Sequence, residues 1–208
     1  MQIAIALYPE FTCLDAIGPY QVLQHLPGTD TVFVAERAGE IADDYGALRL
    51  TVDRTFADVT EPDVIVVPGG MITRKLATPD EPIVQWIRAV DATTSWTTSV
   101  CTGSLLLGAA GLLDGLDATT HWGAYDDLAS FGAKPTGERV VHRGKIITAA
   151  GVSSGIDMAL SLVAQLQGPE VAQAIQLAIE YDPQPPFDAG SPTKAPAEIV
   201  ELVKALVS

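Results

Sequence analysis

The chain has 208 residues and 48% of them are apolar, so it can bury the core of a single domain over residues 1–208. Its 26 acidic residues against 12 basic ones give a net charge of −14. This charge argues against nucleic acid or an anionic membrane as a partner, because phosphate groups would be repelled.

Composition also predicts a cytoplasmic protein without a cofactor. The longest apolar runs, such as 105–113, are far shorter than the roughly 20 residues that a membrane span needs. The apolar N-terminus has no basic leader or cleavage site, and Cys13 and Cys101 are expected as free thiols in a reducing compartment. Dispersed histidines and cysteines offer no metal-ligand spacing, and nucleotide-binding motifs are absent. We therefore expect no metal.

The first half of the chain alternates between strand and helix patterns. In chain order it predicts a strand at 2–7, a helix at 15–26, strands at 31–35, 47–52 and 63–67, a helix at 83–90, a strand at 95–100 and a helix at 105–113. Pro19 falls in the first turn of its predicted helix, where a missing N–H costs little. The run at 63–67 is almost entirely β-branched, which is typical of a central parallel strand covered on both faces.

The second half continues the alternation and sets the fold class. It predicts a helix at 122–131, a hairpin over 140–148 with its turn at Arg143-Gly144, helices at 155–166 and 170–180, a proline-rich extended tail and a last helix at 197–207 that packs back on the body. The pattern indicates an α/β fold of three layers, with a mostly parallel sheet between helices. In such folds the chemistry gathers beyond the carboxyl ends of the strands.

The strongest chemical signal is Cys101, which stands between a predicted strand and a predicted helix. A strand–turn–helix junction forces a sharp bend that holds one side chain out over the sheet edge. The helix N-terminus behind it is expected to lower the pKa of the thiol toward neutrality. The pattern favours a nucleophile, and a buried structural cysteine stays open as the alternative.

Two glycines, Gly69 and Gly70, follow the β-branched strand. Glycines there let backbone N–H groups approach a reacting atom closely. The N–H groups of Gly70 and Thr102 are therefore predicted to form an oxyanion hole. The alternative is a strand-to-helix turn that needs glycine for its backbone alone.

An acid and a histidine follow other predicted strands. Asp15 comes just after the first strand, where its carboxylate could cap the next helix or face the sulfur of Cys101. Against the sulfur, burial and like charge would raise the pKa of the acid and make it a proton donor. His121 is either a partner of the cysteine or a packed residue, whereas Cys13 is expected to be a site wall or core filler.

Six segments together resemble the DJ-1/PfpI superfamily. They are Leu14-Asp15-Ala16-Ile17-Gly18-Pro19, Val66-Val67-Pro68-Gly69-Gly70, Ser99-Val100-Cys101-Thr102-Gly103, Ala109-Ala110-Gly111-Leu112-Leu113-Asp114-Gly115, Thr119-Thr120-His121-Trp122 and Ala150-Gly151-Val152-Ser153-Ser154-Gly155-Ile156-Asp157. The resemblance runs from Ile3 to about Glu180. It implies a flavodoxin-like sandwich, similar to class I glutamine amidotransferases, with a nucleophile-elbow cysteine and assembly as a homodimer.

Within the superfamily the chain is most similar to the isocyanide hydratase branch, because its acid is Asp15 where many DJ-1-type relatives carry Glu, and because Thr102 follows the cysteine. That branch adds water to an isonitrile, R–N≡C, and gives an N-substituted formamide without a cofactor. The resemblance implies a covalent thioimidate on Cys101, with Asp15 as proton donor and then base. Hydrogen bonds from Thr102 and Gly70 would stabilise the charge that develops on the reacting atoms. The implied pocket residues are His121, Gly69, Ile17 and Val152.

Two alternatives to the hydratase remain at this point. The chain could be another enzyme of the superfamily, a glutathione-independent glyoxalase or an amidase-like protein, although those usually pair the cysteine with Glu and His. It could be an oxidative-stress sensor in which Cys101 is oxidised beside the acid. The same motifs also occur in amidase-like domains of AraC-type regulators, but residues 1–208 leave no room for a DNA-binding domain and are acidic.

Overall fold

The structure, a computed structural model, describes residues 1–207, with side chains described through residue 205. The strands are β1 (Gln2–Ala6), β2 (Asp30–Ala35), β3 (Gly39–Ala42), β4 (Arg49–Val52), β5 (Arg54–Thr55), β6 (Val64–Val67), β7 (Trp96–Val100), β8 (Asp117–Ala118), β9 (Lys134–Pro135), β10 (Val140–Arg143) and β11 (Ile146–Ala149). The helices are α1 (Cys13–Leu23), α2 (Thr73–Leu76), α3 (Pro82–Asp91), α4 (Gly103–Ala109), α5 (Tyr125–Ser130), α6 (Ser154–Gln167), α7 (Pro169–Ala178) and α8 (Ala197–Val207).

A seven-stranded sheet in the order β10-β11-β7-β6-β1-β2-β5 forms the centre of the fold. Its neighbouring strands are parallel except for the β10–β11 hairpin. Helices α1, α6 and α7 pack on one face, while α4 packs on the other together with α2, α3 and α5. Every residue of β6 is buried, because both faces of the sheet are covered. The predicted three-layer α/β fold is therefore confirmed.

The register of the sheet brings three chain segments to one edge. Strand β6 pairs in parallel with β1 on one side and with β7 on the other. The residues that follow these strands are Leu7 and Tyr8 after β1, Pro68 and Gly69 after β6, and Cys101 after β7. The carboxyl ends of three adjacent central strands therefore meet where the cysteine lies.

Helix α1 begins earlier than its sequence pattern indicates. It starts at Cys13, because the Thr12 N–H donates to the Gly69 carbonyl at 2.8 Å and the Thr12 carbonyl accepts from the Asp15 N–H at 3.1 Å. Pro19 consequently lies in the second turn, and its predicted place in the first turn is wrong. The apolar face of the helix is buried as predicted, through residues such as Val22.

Three other boundaries differ from the sequence predictions. The strand predicted at 47–52 shortens to β4, and its antiparallel partner β3 was missed because both are mostly exposed and lack an apolar run. The helix predicted at 105–113 is shifted, since α4 starts at Gly103 and ends before Gly111, which has φ +80°. The helix predicted at 122–131 divides into a 3-10 turn, Trp122–Ala124, followed by α5.

The remaining elements agree more closely with the sequence. The hairpin with its turn at Arg143-Gly144 is confirmed, with Val140 opposite Ala149. Within residues 1–207 no helix combines the length and the apolarity of a transmembrane segment. The predicted single domain over 1–208 includes Ser208, which lies outside the described residues, and stays a prediction.

Candidate active site

Cys101 lies at a sharp bend between β7 and α4. Its φ of +56° is in the left-handed region, which costs a non-glycine residue about 1–3 kcal/mol. The surroundings hold this conformation: the Cys101 N–H donates to the carbonyls of Ala149 and Ala150 at 3.1 and 3.0 Å, and its carbonyl accepts from Thr120 Oγ1 at 3.1 Å. The bend that the strand–helix junction predicts is therefore present, and the sulfur is held at the sheet edge.

The Cys101 thiol is not acidified, contrary to the prediction. Its side chain is buried, and only 6% of the residue is exposed. Burial first, and the Asp15 carboxylate second, raise the pKa of Cys101 to about 12, against hydrogen bonds from the Val152 and Thr102 N–H groups that lower it. Helix α4 has only seven residues, and the positive charge at its N-terminus does not compensate for the hydration that a buried thiolate loses. Burial and the neighbouring acid therefore favour the thiol form of Cys101, whose proton must be removed during attack.

Asp15 supplies the acceptor for that proton. The residue is completely buried in the first turn of α1, and its Oδ2 accepts from the Gly69 N–H at 2.9 Å. Its Oδ1 has no N–H or O–H partner among the described residues. Burial raises the pKa of Asp15 to about 7, while hydrogen bonds from the Gly69 N–H and the Cys101 thiol lower it. The carboxyl group therefore faces the sulfur, and the alternative of a helix cap does not apply.

Gly69 allows these groups to converge. A Cβ atom at this position would lie 2.6 Å from Thr102 N, 2.7 Å from Thr102 Oγ1 and 2.9 Å from Asp15 Oδ2. These distances are shorter than the contacts that real Cβ atoms make, and all three atoms belong to buried residues. Glycine is required here for close approach and not only for the turn.

We expect Gly69→Ala to displace Asp15 from Cys101. A shift of about 1 Å in a reacting group costs on the order of 100-fold in rate, so catalysis should fall at least that far, with a lowered melting temperature. Gly137→Ala is the matched control, because a Cβ there meets nothing within 4 Å. Equal melting temperatures and rates in the two variants would contradict this account of Gly69.

The Gly70 N–H does not point at the reacting atom, contrary to the oxyanion-hole prediction. It donates to Thr102 Oγ1 at 3.0 Å, and the Gly70 carbonyl lies at the same distance from that hydroxyl. The backbone donors at the sulfur are the N–H groups of Thr102 and Val152. Val152 has φ +33°, and this strained backbone sits at the start of the turn into α6. Gly70 instead fixes the Thr102 side chain.

A cavity of about 430 Å³ opens in front of the sulfur. Cys101 and Thr102 lie at its floor, and its walls come from separate segments that include Tyr45, Met71, Arg74, His121, Trp122, Val152 and Lys204 of α8. Val152 and His121 line this cavity, whereas Gly69, which was also predicted for the pocket, does not. Ile17 does not line the cavity: it is half-buried on α1, so its predicted place in the pocket is wrong.

His121 is a wall of this cavity rather than a base bonded to the cysteine. Its Nδ1 accepts from the Gly123 N–H at 3.2 Å, and its ring lies against Gly151, where a Cβ would approach Cδ2 to 2.6 Å. Burial and the charge of Arg74 lower the pKa of His121, which keeps the ring neutral. No hydrogen bond joins His121 to Cys101 in the described part of the chain. The cysteine is therefore paired with Asp15.

Tyr8 is the site residue that the sequence analysis missed. Its hydroxyl donates to the Pro68 carbonyl at 2.5 Å, beside the peptide that binds Asp15. The signal available was its position directly after β1, at the same sheet edge as Pro68 and Cys101. A larger cavity of about 490 Å³ lies on the far side of Tyr8 but contains neither Cys101 nor Asp15. We place the site in the smaller cavity because the reactive sulfur opens into it.

No three His, Cys, Asp or Glu side chains among residues with described side chains gather as a metal-binding group. The absence of a metal and of a cofactor stays a prediction.

Comparisons with known proteins identify the family of the chain. The model of the DJ-1/PfpI family matches residues 1–165. The chain is 45% identical over 201 residues to the isonitrile hydratase of Pseudomonas putida, which covers 97% of this chain and 87% of that protein. It is 28% identical over 159 residues to the glutathione-independent glyoxalase DJR-1.2 of Caenorhabditis elegans, with 76% of this chain and 80% of that protein covered.

The solved structure of a THiJ/PfpI family protein from Pseudomonas syringae is also similar. The two share 41% identity and superpose with a TM-score of 0.94, which covers 99% of this chain and 85% of that one.

Proposed function

The chain belongs to the DJ-1/PfpI family, and from this premise we propose that it is an isonitrile hydratase that adds water to R–N≡C and releases an N-substituted formamide. The observation that carries the proposal is the buried pair of Cys101 and Asp15. Oδ2 of the acid is held by the Gly69 N–H, whereas Oδ1 has no N–H or O–H partner among the residues with described side chains. Such a carboxyl group can exchange a proton with a reacting atom beside the sulfur. The similarity to an isonitrile hydratase supports the same reading.

The first half of the reaction forms a covalent intermediate. The terminal isonitrile carbon is electrophilic toward sulfur, so Cys101 Sγ bonds to it while the Asp15 carboxylate takes the thiol proton. The carbon is left with an electron pair and takes that proton from Asp15. The product is a thioimidate, R–N=CH–S, on Cys101, and Asp15 is again a carboxylate. The N–H groups of Thr102 and Val152 lower the pKa of Cys101, so they favour negative charge on the sulfur as it develops.

The second half adds water and frees the enzyme. Water bonds to the thioimidate carbon, Asp15 accepts one of its protons, and the nitrogen receives a proton from Asp15. The resulting R–NH–CH(OH)–S intermediate then loses its C–S bond. The hydroxyl proton passes through Asp15 to the leaving sulfur, which restores the Cys101 thiol. The sum is one water added to one isonitrile, and one formamide released.

A substrate comparison tests the proposal. Purified protein is incubated with cyclohexyl isonitrile, with methylglyoxal and with peroxide, and formamide, lactate and oxidised Cys101 are measured by mass spectrometry. We expect saturable formamide production. Turnover of methylglyoxal alone would favour the glyoxalase alternative, to which the similarity with the nematode enzyme points. Stoichiometric oxidation of Cys101 without turnover of either substrate would favour a sensor.

The pH dependence follows from the role of Asp15 as a base. Because burial raises the pKa of Asp15 to about 7, the carboxylate that accepts the thiol proton is lost as the pH falls below that value. We expect kcat/KM for an uncharged isonitrile to fall about tenfold per pH unit below pH 7. The measurement runs from pH 5 to pH 9, with the uncatalysed acid hydrolysis subtracted. A profile that is flat between pH 5 and pH 8 would exclude Asp15 as this base.

Location and assembly are proposed on the same basis. The two free thiols support a cytoplasmic location, and the family resemblance supports a homodimer. Sedimentation velocity distinguishes a monomer of 21.9 kDa from a particle of twice that mass. The proposed partners are therefore a small-molecule isonitrile, water and a second copy of the chain.

A further inference from the structure

Tyr8 is joined to the catalytic acid through one peptide group. Its hydroxyl donates to the Pro68 carbonyl at 2.5 Å, and the Gly69 N–H donates to Asp15 Oδ2 at 2.9 Å. The Pro68 carbonyl and the Gly69 N–H are the two ends of the same peptide group. Tyr8, this peptide and the carboxylate therefore form a continuous chain of hydrogen bonds in a buried environment.

Hydrogen bonds in such a chain polarise one another. A donor on the carbonyl oxygen draws electron density from the peptide nitrogen, so the N–H at the other end becomes a stronger donor, by roughly 10–30% per bond. A stronger donor to a carboxylate favours its charged form. The effect reaches Asp15 without any contact between Tyr8 and the substrate cavity, which Tyr8 does not line.

We propose that Tyr8 is a positioning residue for Asp15, which acts through the Pro68–Gly69 peptide group to hold the carboxylate in place and to keep it ionised. This inference deepens the proposed function and rests on it for the role of Asp15 as the base. The alternative is that the Tyr8 hydroxyl only satisfies a buried carbonyl at the end of β6.

Three other titratable groups act on the ionisation of the acid and must stay constant in the test. Cys101 faces Asp15 from the bend after β7, Asp44 from the β3–β4 turn, and Cys13 from its own helix. Arg74 and His121 line the cavity in front of the sulfur. None of them contacts the Tyr8 hydroxyl through a hydrogen bond in the described part of the chain. Burial, together with the charges of Asp15 and Cys101, raises the pKa of Tyr8 well above 10, so the hydroxyl is uncharged between pH 4 and pH 9. Removing it therefore removes the hydrogen bond to the Pro68 carbonyl and no charge.

The experiment titrates the Asp15 carboxyl directly, without substrate. Protein labelled with ¹³C at aspartate carboxyl carbons is followed by NMR between pH 4 and pH 9, and the signal of Asp15 is identified by its loss in Asp15→Asn. We expect Tyr8→Phe to raise the midpoint of this signal by about half a pH unit. Tyr20→Phe is the matched control, because that half-buried ring packs on Phe33 away from the site, and its midpoint should equal that of the wild type.

A second variant separates polarisation from simple packing. Site-specific 3-fluorotyrosine in place of Tyr8 keeps the ring and makes the hydroxyl a stronger donor, so the Asp15 midpoint should fall below that of the wild type. An unchanged midpoint in both Tyr8 variants, or a lower one in Tyr8→Phe, would overturn the proposal. Because the titration contains no isonitrile, its result does not depend on whether the chain hydrates isonitriles. Failure of the proposed function and failure of this inference are thus seen in different measurements.

Discussion

Cys101→Ala should abolish formamide production, whereas Cys13→Ala should keep the wild-type rate within about twofold. The two cysteines form a matched pair, since both are free thiols but only Cys101 opens into the cavity. Without the sulfur no thioimidate forms, and loss of a nucleophile lowers kcat by four orders of magnitude or more in enzymes that use covalent catalysis, on the order of 10⁴-fold here.

Mass spectrometry gives an independent check of the same prediction. The wild-type chain and Cys13→Ala, quenched during turnover, should carry an adduct with the full mass of the isonitrile, since the thiol adds across the carbon and no atom is lost. Digestion should place that adduct on Cys101. An adduct on Cys13, or more than about one per cent of the wild-type rate in Cys101→Ala, would contradict the assignment of the nucleophile.

Asp15→Asn should remove nearly all activity and yet stabilise the fold above pH 7. The amide keeps the shape and still accepts from the Gly69 N–H, but it has no basic oxygen for the thiol proton. A loss of about 10³-fold in kcat/KM is expected, in line with a missing general base. Asp15→Glu should also lose most activity with the fold intact, because the added methylene moves the carboxylate by over about 1 Å.

The gain in stability follows from the direction of the pKa shift. Burial raises the pKa of Asp15 from 3.8 to about 7 in the folded chain. The folded state therefore binds the proton more tightly than the unfolded state does. The stabilisation of the fold by this bound proton is complete below pH 3.8 and is lost as the pH rises through about 7. Above that pH the buried charge lowers the free energy of unfolding by at most about 4 kcal/mol, because a tenfold change in proton affinity corresponds to about 1.4 kcal/mol. The melting temperature of Asp15→Asn should exceed that of the wild type at pH 8 and approach it at pH 5. A lower value at pH 8 would contradict the cost assigned to the charge.

The residues that follow the strands are the part of the site that can best be predicted from the sequence. The β-branched run of β6 and the junction at Cys101 follow from local composition, and parallel pairing then brings Asp15 and Gly69 to the same edge. The bend at Cys101 was predictable for the same reason. In each case the prediction depends on the composition and periodicity of one short segment, which can be seen directly in the sequence.

The features that were missed depend on summed tertiary contacts. The pKa of Cys101 is raised, and not lowered as the sequence predicts, because the effect of burial exceeds that of the N-terminus of the short helix α4. Burial depends on the packing of distant segments and cannot be derived from the local sequence. The Gly70 N–H is engaged by Thr102 Oγ1, an internal hydrogen bond that no spacing indicates. The same holds for Tyr8, whose partner is 60 residues away. Exposed β3 was missed since it carries no apolar alternation.

Two residues in the wall of the cavity, Tyr45 and Met71, come from loops, while the reacting atoms come from the ends of sheet strands and from α1. Tyr45 at the β3–β4 turn is 90% exposed and Met71 after β6 is 56% exposed, so neither side chain supports the core. Mutations at such positions change the free energy of unfolding little, whereas substitutions at Gly69 and Asp15 are expected to remove activity. If the proposed function holds, substitutions at these two positions can alter which isonitriles are accepted and leave Cys101 and Asp15 unchanged. A mutant library for new substrates is best confined to Tyr45 and Met71.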